Sequence, residues 1–243
     1  MTTPPDGPAD EPADQRPASP AAAPSAGLAV ELAGETVLLH PDRALLWPAR
    51  RTLVVADLHF GKDDAFRRAG IALPAGAART DVGRLAGLLA AHAVARLVVL
   101  GDFFHARPHA DDAFFAEFAA FRASHRSLAL EVVAGNHDRH GGDTLDEIAT
   151  WHSAGLDDGP FAFRHEPDAV PGRYVLAGHL HPVIQIGAFG GDRARLPVFW
   201  LRPTMGVLPA FGSLTGGARI LPRPGDRTYA AAGRRVIELP AAD

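Results

Sequence analysis

Four short stretches of this chain combine side chains that together bind cations. They are Asp57-Leu58-His59, Gly101-Asp102, Gly135-Asn136-His137-Asp138 and Gly178-His179-Leu180-His181, with His165 (in His165-Glu166-Pro167) as a fifth position. Carboxylate, imidazole and amide without thiolate suit borderline-to-hard cations such as Mn²⁺, Fe or Zn²⁺. Asp57, His59, Asp102, Asn136, His137, His165, His179 and His181 are too many for one centre, whereas two centres sharing a carboxylate would use them all. A pair of cations about 3.5–4 Å apart clamps the oxygens of a phosphoryl group as charge develops. Phosphorus is therefore the natural target of such a site.

The polar residues follow apolar runs. Val54-Val55-Ala56, Leu97–Leu100, Leu130–Ala134 and Tyr174–Ala177 read as four strands that deliver their ligands to one edge of a sheet. Upstream, Leu28–Leu32 and Thr36–His40 read as a hairpin and Ala44–Trp47 as a third strand. Helices are expected over residues 63–69, 79–92, 111–124 and 144–152. The 79–92 helix carries Val82, Leu85, Leu88 and Leu89 at helical spacing. The 111–124 helix carries an apolar stripe of Phe114, Phe115, Phe118 and Phe121 for packing on a sheet. After Gly159-Pro160 the pattern turns to short β-type runs. No repeat of fixed period and no linker between two cores is visible. The fold class expected is α/β (α+β), one sandwich of two mixed sheets flanked by helices, spanning 27–240 as one domain.

Composition sets the outer limits. An apolar fraction of 47% with 21% charged residues describes a globular protein, and the length of 243 residues is enough for one full core. There are no cysteines, so disulfides and thiolate metal sites are excluded. The net charge of −4 argues against a broad basic surface, although bound cations would reverse the field locally. Residues 1–26, rich in Pro, Ala, Asp and Ser, have neither the basic nor the apolar region of a secretory signal and read as a disordered tail. No run approaches the roughly 18 apolar residues of a membrane span, which makes the cytoplasm the default location.

The four stretches, in this order and with His165 between the third and the last, resemble the motif set of the calcineurin-like metallophosphoesterase superfamily. That resemblance implies a four-layer sandwich in which Asp57, His59 and His181 bind one divalent metal ion and Asn136, His165 and His179 a second. Asp102 would bridge them. His137 would act on the substrate, donating to a phosphoryl oxygen or protonating the leaving group, with Asp138 orienting its ring. Flanking details are closer to one bacterial branch. Ala56–Lys62 followed by Phe66-Arg67-Arg68-Ala69-Gly70, Gly101–His105, His165-Glu166-Pro167, Leu208–Gly212 and Thr215-Gly216-Gly217 are similar to the ligase-associated DNA damage response endonuclease family. This implies a manganese-dependent phosphodiesterase or endonuclease, DNA as a partner, and a DNA ligase and helicase of the same repair system.

Other positions stay open on the sequence alone. Lys62, Arg67 and Arg68 make a phosphate clamp beside the first ligands or a solvated helix face. His105, His109 and His140 reach substrate or line a solvated loop. Arg202, Arg219, Arg223, Arg227, Arg234 and Arg235 form the one locally basic region, which tracks a nucleic-acid backbone or is simply solvated. Gly206–Gly217 reads as a loop packed near the site, and Trp47, Trp151 and Trp200 as core. Two other functions compete. One is a phosphoesterase for a small nucleotide or sugar-nucleotide lipid precursor; the other is a non-catalytic scaffold of a repair complex.

Overall fold

The computed structural model describes residues 27–71, 73, 76–107, 109, 111–140, 149–187 and 193–241. The stretch read as a tail lies outside them, as do residues 144–148 of the fourth expected helix. The first sheet has seven strands in chain order: β1 (Leu28–Leu32), β2 (Glu35–His40), β3 (Ala44–Trp47), β4 (Thr52–Val55), β5 (Arg96–Leu100), β6 (Ala129–Val133) and β7 (Thr150–His152). β1 to β4 pair antiparallel, and β4 to β7 pair parallel. Parallel pairing demands crossovers. Between β4 and β5 the chain makes α1 (Lys62–Arg68) and α2 (Ala77–Ala91), and between β5 and β6 it makes α3 (Ala113–Ser124). Because β4, β5 and β6 run the same way, the residues that follow them emerge at one edge, where ligands of open parallel sheets gather.

Successive side chains of these strands alternate between two cores. Leu53, Val55, Leu97, Val99, Leu130 and Val132 face the helices and pack with Val82, Leu85, Leu88, Phe114, Phe118 and Phe121. The phenylalanine stripe of α3 is thus core. Val54, Val98, Leu100 and Val133 face the other way, with Trp47, and meet Phe161, Phe163, Leu176 and Phe199 of the second sheet and Leu208 just beyond it. Burial on both faces explains why β4 and β5 read as continuous apolar runs.

The second sheet holds β8 (Leu156–Asp158), β9 (Phe161–Phe163), β10 (Tyr174–Ala177), β11 (Pro182–Gly187), β12 (Arg193–Leu201), β13 (Met205–Val207), β14 (Ala218–Arg219), β15 (Arg227–Ala232) and β16 (Arg235–Glu238). Its order is β14-β11-β12-β13-β10-β9-β8, with β15 pairing to β12 and β16 to β15. Both sheets are mixed, as expected for the α/β class. α2 and α3 pack on the first sheet. Away from the first sheet, the apolar side chains of the second pack with one another, as Val198, Ile220 and Ala230 do with Ile184, Leu196 and Trp200. Among the described residues no helix joins that cluster.

Two expectations need correcting, and one element is added. The strand Tyr174–Ala177 belongs to the second sheet, so two sheets rather than one deliver the expected ligands. An apolar run ending in Gly-His looks the same whichever sheet accepts it. Thr150–His152 is a parallel strand beside β6 rather than the end of a helix; Trp151 pairs with Val132 and packs beside the helix-side core. Leu156–Asp158 is an additional short strand between two positive-φ glycines, antiparallel to β9. Among the described residues no helix is long and apolar enough to cross a membrane.

Candidate metal centre

The site is built where the chain leaves β4, β5, β6, β9 and β10. Among the described residues eight non-glycine positions have positive φ, and five of them are expected ligands: Asp57 (53°), His59 (48°), Asp102 (48°), His179 (67°) and His181 (45°). Left-handed backbone costs an L-residue roughly 1–2 kcal/mol, and such residues persist only where their surroundings over-determine them. Here they are laced together. The Asp57 N–H donates to the Gly101 carbonyl at 3.2 Å, and the His59 N–H to the Asp102 carbonyl at 2.8 Å. The His179 N–H donates to both Asp57 carboxylate oxygens at 3.1 and 3.0 Å, tying the second sheet to the first. From below, the Phe211 N–H donates to the Ala56 carbonyl at 2.7 Å and the Gly212 N–H to the Asp57 carbonyl at 3.2 Å. The start of the stretch read as a loop is strand β13, and its later part, at Phe211 and Gly212, supports the site.

The side chains fall into two groups that meet at Asp102. In the first, ligand atoms of Asp57, His59, Asp102 and His181 all lie within 4.8 Å of one another, three of the four residues being buried. His59 Nε2 is 3.4 Å from His181 Nε2 and 3.7 Å from Asp102 Oδ2, and His181 Nε2 is 3.5 Å from Asp57 Oδ1. In the second group, His165 Nε2 is 2.9 Å from Asn136 Oδ1, 3.1 Å from His179 Nδ1 and 3.5 Å from Asp102 Oδ1. Asp102 thus turns one oxygen to each group.

These residues fit a cation. His165 Nδ1–H donates to the Leu100 carbonyl at 3.1 Å, which leaves Nε2 with its lone pair. That lone pair faces the Asp102 carboxylate and the Asn136 oxygen, both acceptors. Acceptors converging on acceptors repel, and a positive ion among them reverses the sign. Burial, reinforced by His181, His137, Lys62 and His105, pushes the His59 imidazole down to about 2, which keeps its ring neutral and able to ligate. Gly101 and Gly135 are steric requirements of the same assembly. A Cβ on Gly101 (φ +80°) would overlap the His165 ring, and one on Gly135 would overlap the Asp102 carboxylate and backbone nitrogen.

His137 lies at the mouth of the site. Its ring centroid is 5.1 Å from that of His59, and it stacks on His105 at 5.4 Å. Its backbone N–H donates to Asp102 Oδ1 at 3.0 Å. The group that orients its ring is a correction to the sequence reading. His137 Nδ1–H donates to the His105 carbonyl at 2.6 Å, whereas the Asp138 carboxylate accepts the backbone N–H groups of Phe103, Phe104 and Gly135 at 3.2, 3.0 and 2.9 Å. Asp138 therefore joins the Asp102 and Asn136 loops. Its burial pushes the carboxyl up against the lowering effect of those three bonds.

His105, read as a possible substrate contact, stands beside His59 and His137; ligand atoms of these three also lie within 4.8 Å of one another. Burial, then Lys62 and His137, lowers the His105 imidazole to about 4 against the opposing pull of Asp102. Lys62 points its ammonium over the Phe66 ring at 5.9 Å, and desolvation lowers its pKa. Arg67 is drawn into ion pairs with Asp64 and Asp63 of its own helix, and Arg68 pairs with Asp112. The clamp expected from this helix is thus largely neutralised by acids beside it. The side chain of His140 lies outside the described residues. Arg202 and Arg227 sit at the end of the second sheet opposite the ligands, as the antiparallel pairing of β12 with β13 and β15 requires. The carbonyls of Leu100 and His105, which orient two imidazoles, are functional groups that residue types do not announce.

No family model and no curated relative matches the chain. The crystal structure of the nuclease MPE of Pseudomonas putida aligns at 38% identity with a TM-score of 0.76, covering 88% of this chain and 100% of that one. A protein of unknown function from Aquifex aeolicus, AQ665, aligns at 17% identity over 54% of this chain and 78% of that one with a TM-score of 0.39, too distant to carry an argument. With the motif order, the two-sheet fold and a 38% identical nuclease matched along its whole length, the chain belongs to the calcineurin-like metallophosphoesterase superfamily and, within it, to the ligase-associated DNA damage response endonuclease family.

Proposed function

We propose that residues 27–240 form one catalytic unit, a dinuclear-metal-dependent phosphodiesterase that cleaves nucleic acid. The observation that carries this reading is the placing of Asp102 between two ligand groups, one oxygen to each. Asp57, His59 and His181 would hold one ion, Asn136, His165 and His179 the other, and Asp102 both. When bound, two divalent cations polarise phosphoryl oxygens and lower the pKa of water, which supplies the nucleophile. The chain's own part is positioning and proton transfer. His137, with Nδ1–H fixed on a carbonyl, has Nε2 free to carry a proton to the departing oxygen. His105 stacks beside it and limits the space in which the phosphodiester can lie. The likeness to a nuclease supports nucleic acid over other phosphodiesters. Manganese as the working metal, a cytoplasmic repair role, and a ligase and helicase as partners complete the proposal.

The test is a substrate panel. Metal-stripped protein is reconstituted separately with Mn²⁺, Zn²⁺ and Fe²⁺ and given single-stranded DNA, duplex DNA, RNA, linear and cyclic nucleotides, and bis(4-nitrophenyl) phosphate. Metal-dependent cleavage of a polynucleotide is expected. Turnover of small nucleotides alone would replace nucleic acid with a small-molecule substrate, and no hydrolysis with any metal would favour a scaffold.

A further inference from the structure

A cleft of about 420 Å³ opens directly from the second ligand group. Gly135, Asn136 and His165 line it, together with Ser153, Gly155, Glu166 and Asp168. Two cations line it, Arg139 and Arg164. Arg164 is committed: it pairs with Asp157 at 2.8 Å and donates to the Phe163 carbonyl at 2.9 Å. Arg139 is exposed, and among the described residues no carboxylate lies within ion-pair distance of it. Its backbone is nevertheless fixed. Arg139 follows Asp138, whose carboxylate is pinned by three backbone N–H groups, and sits in the short 3-10 turn Asp138–His140. A guanidinium with no acidic partner among the described residues is thereby held in the cleft beside Asn136 and His165.

We infer that Arg139 binds the phosphate next to the scissile one, and that the cleft takes the nucleotide flanking the cut on that side. This rests on the nucleic-acid reading above and deepens it. A polymer whose scissile phosphate lies between the two ligand groups must leave the centre on both flanks. Within this cleft Glu166 and Asp168 repel a phosphate, so it settles on Arg139, which offers a planar fork of donors that matches one. Arg67 and Arg68 of α1 are already paired with acids and offer less. Arg139 is thus a specificity-determining residue for polynucleotides over simple diesters.

The experiment compares wild type with Arg139→Ala and Arg139→Lys, each loaded with Mn²⁺, on a single-stranded oligonucleotide and on bis(4-nitrophenyl) phosphate, which has no flanking phosphate. In Arg139→Ala the ratio of kcat/KM values, oligonucleotide over aryl diester, should fall about tenfold, and the dependence of log(kcat/KM) on log salt for the oligonucleotide should flatten by about one. Arg139→Lys should recover most of the salt slope but only part of the ratio, since it keeps the charge and loses the fork. Equal losses on both substrates, or an unchanged ratio and slope, would overturn the assignment while leaving the nuclease reading intact. Wild-type protein that turns over the aryl diester but no oligonucleotide would overturn the nuclease reading, and this assignment with it.

Discussion

His165, which follows a strand of the second sheet, donates its Nδ1–H to the carbonyl of Leu100, the last residue of a central strand of the first, at 3.1 Å. That bond does three things. It crosses the sandwich, it fixes which imidazole nitrogen keeps the lone pair, and it aims that nitrogen at Asn136 and Asp102. Removing the ring should therefore empty one ion site without unfolding the protein. His165→Ala should bind one Mn²⁺ with affinity near that of wild type, and the second at least 100-fold more weakly, since even loss of an outer partner costs 10–100-fold. Titration calorimetry on metal-stripped protein, with elemental analysis for stoichiometry, reads this directly. Two ions held as tightly as in wild type would remove His165 from the ligand set.

His137 and Asp138 are neighbours in sequence with separable roles. His137→Ala should reduce kcat by 10²-fold or more, the scale of general acid catalysis, while metal content and Tm stay near wild type. Asp138→Ala should do the reverse first. Three buried N–H groups lose their acceptor, and each unsatisfied group costs about 1–3 kcal/mol, so a drop in Tm of many degrees is expected. A full loss of kcat at unchanged Tm in Asp138→Ala would restore the view that Asp138 serves the His137 ring.

Much of this site was legible because its chemistry is local. Asp57-x-His59 and His179-x-His181 announce themselves by type and spacing, and the apolar runs before them mark buried strands. What stayed hidden was non-local or made of backbone. The pairing of Tyr174–Ala177 with Phe161–Phe163 and Met205–Val207 decides that it joins the second sheet, and no window of sequence contains that choice. The partner of the His137 ring is a carbonyl 32 residues away, and every residue has a carbonyl. Arg67 looked like a clamp because it lies beside the first ligands, yet the nearby Asp63 and Asp64, equally plain in the sequence, take its charge. Thr150–His152 is too short to show a period, so its parallel pairing with β6 had no local signature.

The glycine at 101 was visible in the sequence, but its reason was not. Its φ is +80°, and a Cβ there would overlap the His165 ring. Gly101→Ala combines left-handed strain with a clash against a ligand, so a loss of about 2–4 kcal/mol is expected. The clash should also displace His165 and weaken the second ion specifically. Chemical denaturation and metal titration together check it. A variant destabilised by less than about 1 kcal/mol, with both ions bound normally, would show that the His165 ring yields freely, contrary to the fixed position its bond to Leu100 implies.

The site is also held from beneath by a charged clamp on α2. Arg84 donates to Asp81 at 3.0 Å and to the Phe211 carbonyl at 2.8 Å, with its guanidinium carbon 4.0 Å from the centre of the Phe211 ring. Asp81 in turn accepts the Ser213 N–H at 2.9 Å and hydroxyl at 3.1 Å. These bonds press residues 211–213 against Ala56 and Asp57, whose carbonyls accept the N–H groups of Phe211 and Gly212. Breaking one side of a buried pair costs about 3–5 kcal/mol because the other charge is left behind; Arg84 is 19% exposed, so the low end applies. Arg84→Ala should therefore lose about 3 kcal/mol. With the 211–213 loop freed, the strained turn at Asp57 loses its floor, and the ion proposed to sit among Asp57, His59 and His181 should weaken while the His165 side is spared. Equal weakening of both ions would mean general loosening of the fold. Unchanged affinity at both would mean that the loop carries no load for the site, and that the laced backbone of Asp57, Gly101 and His179 suffices to hold it.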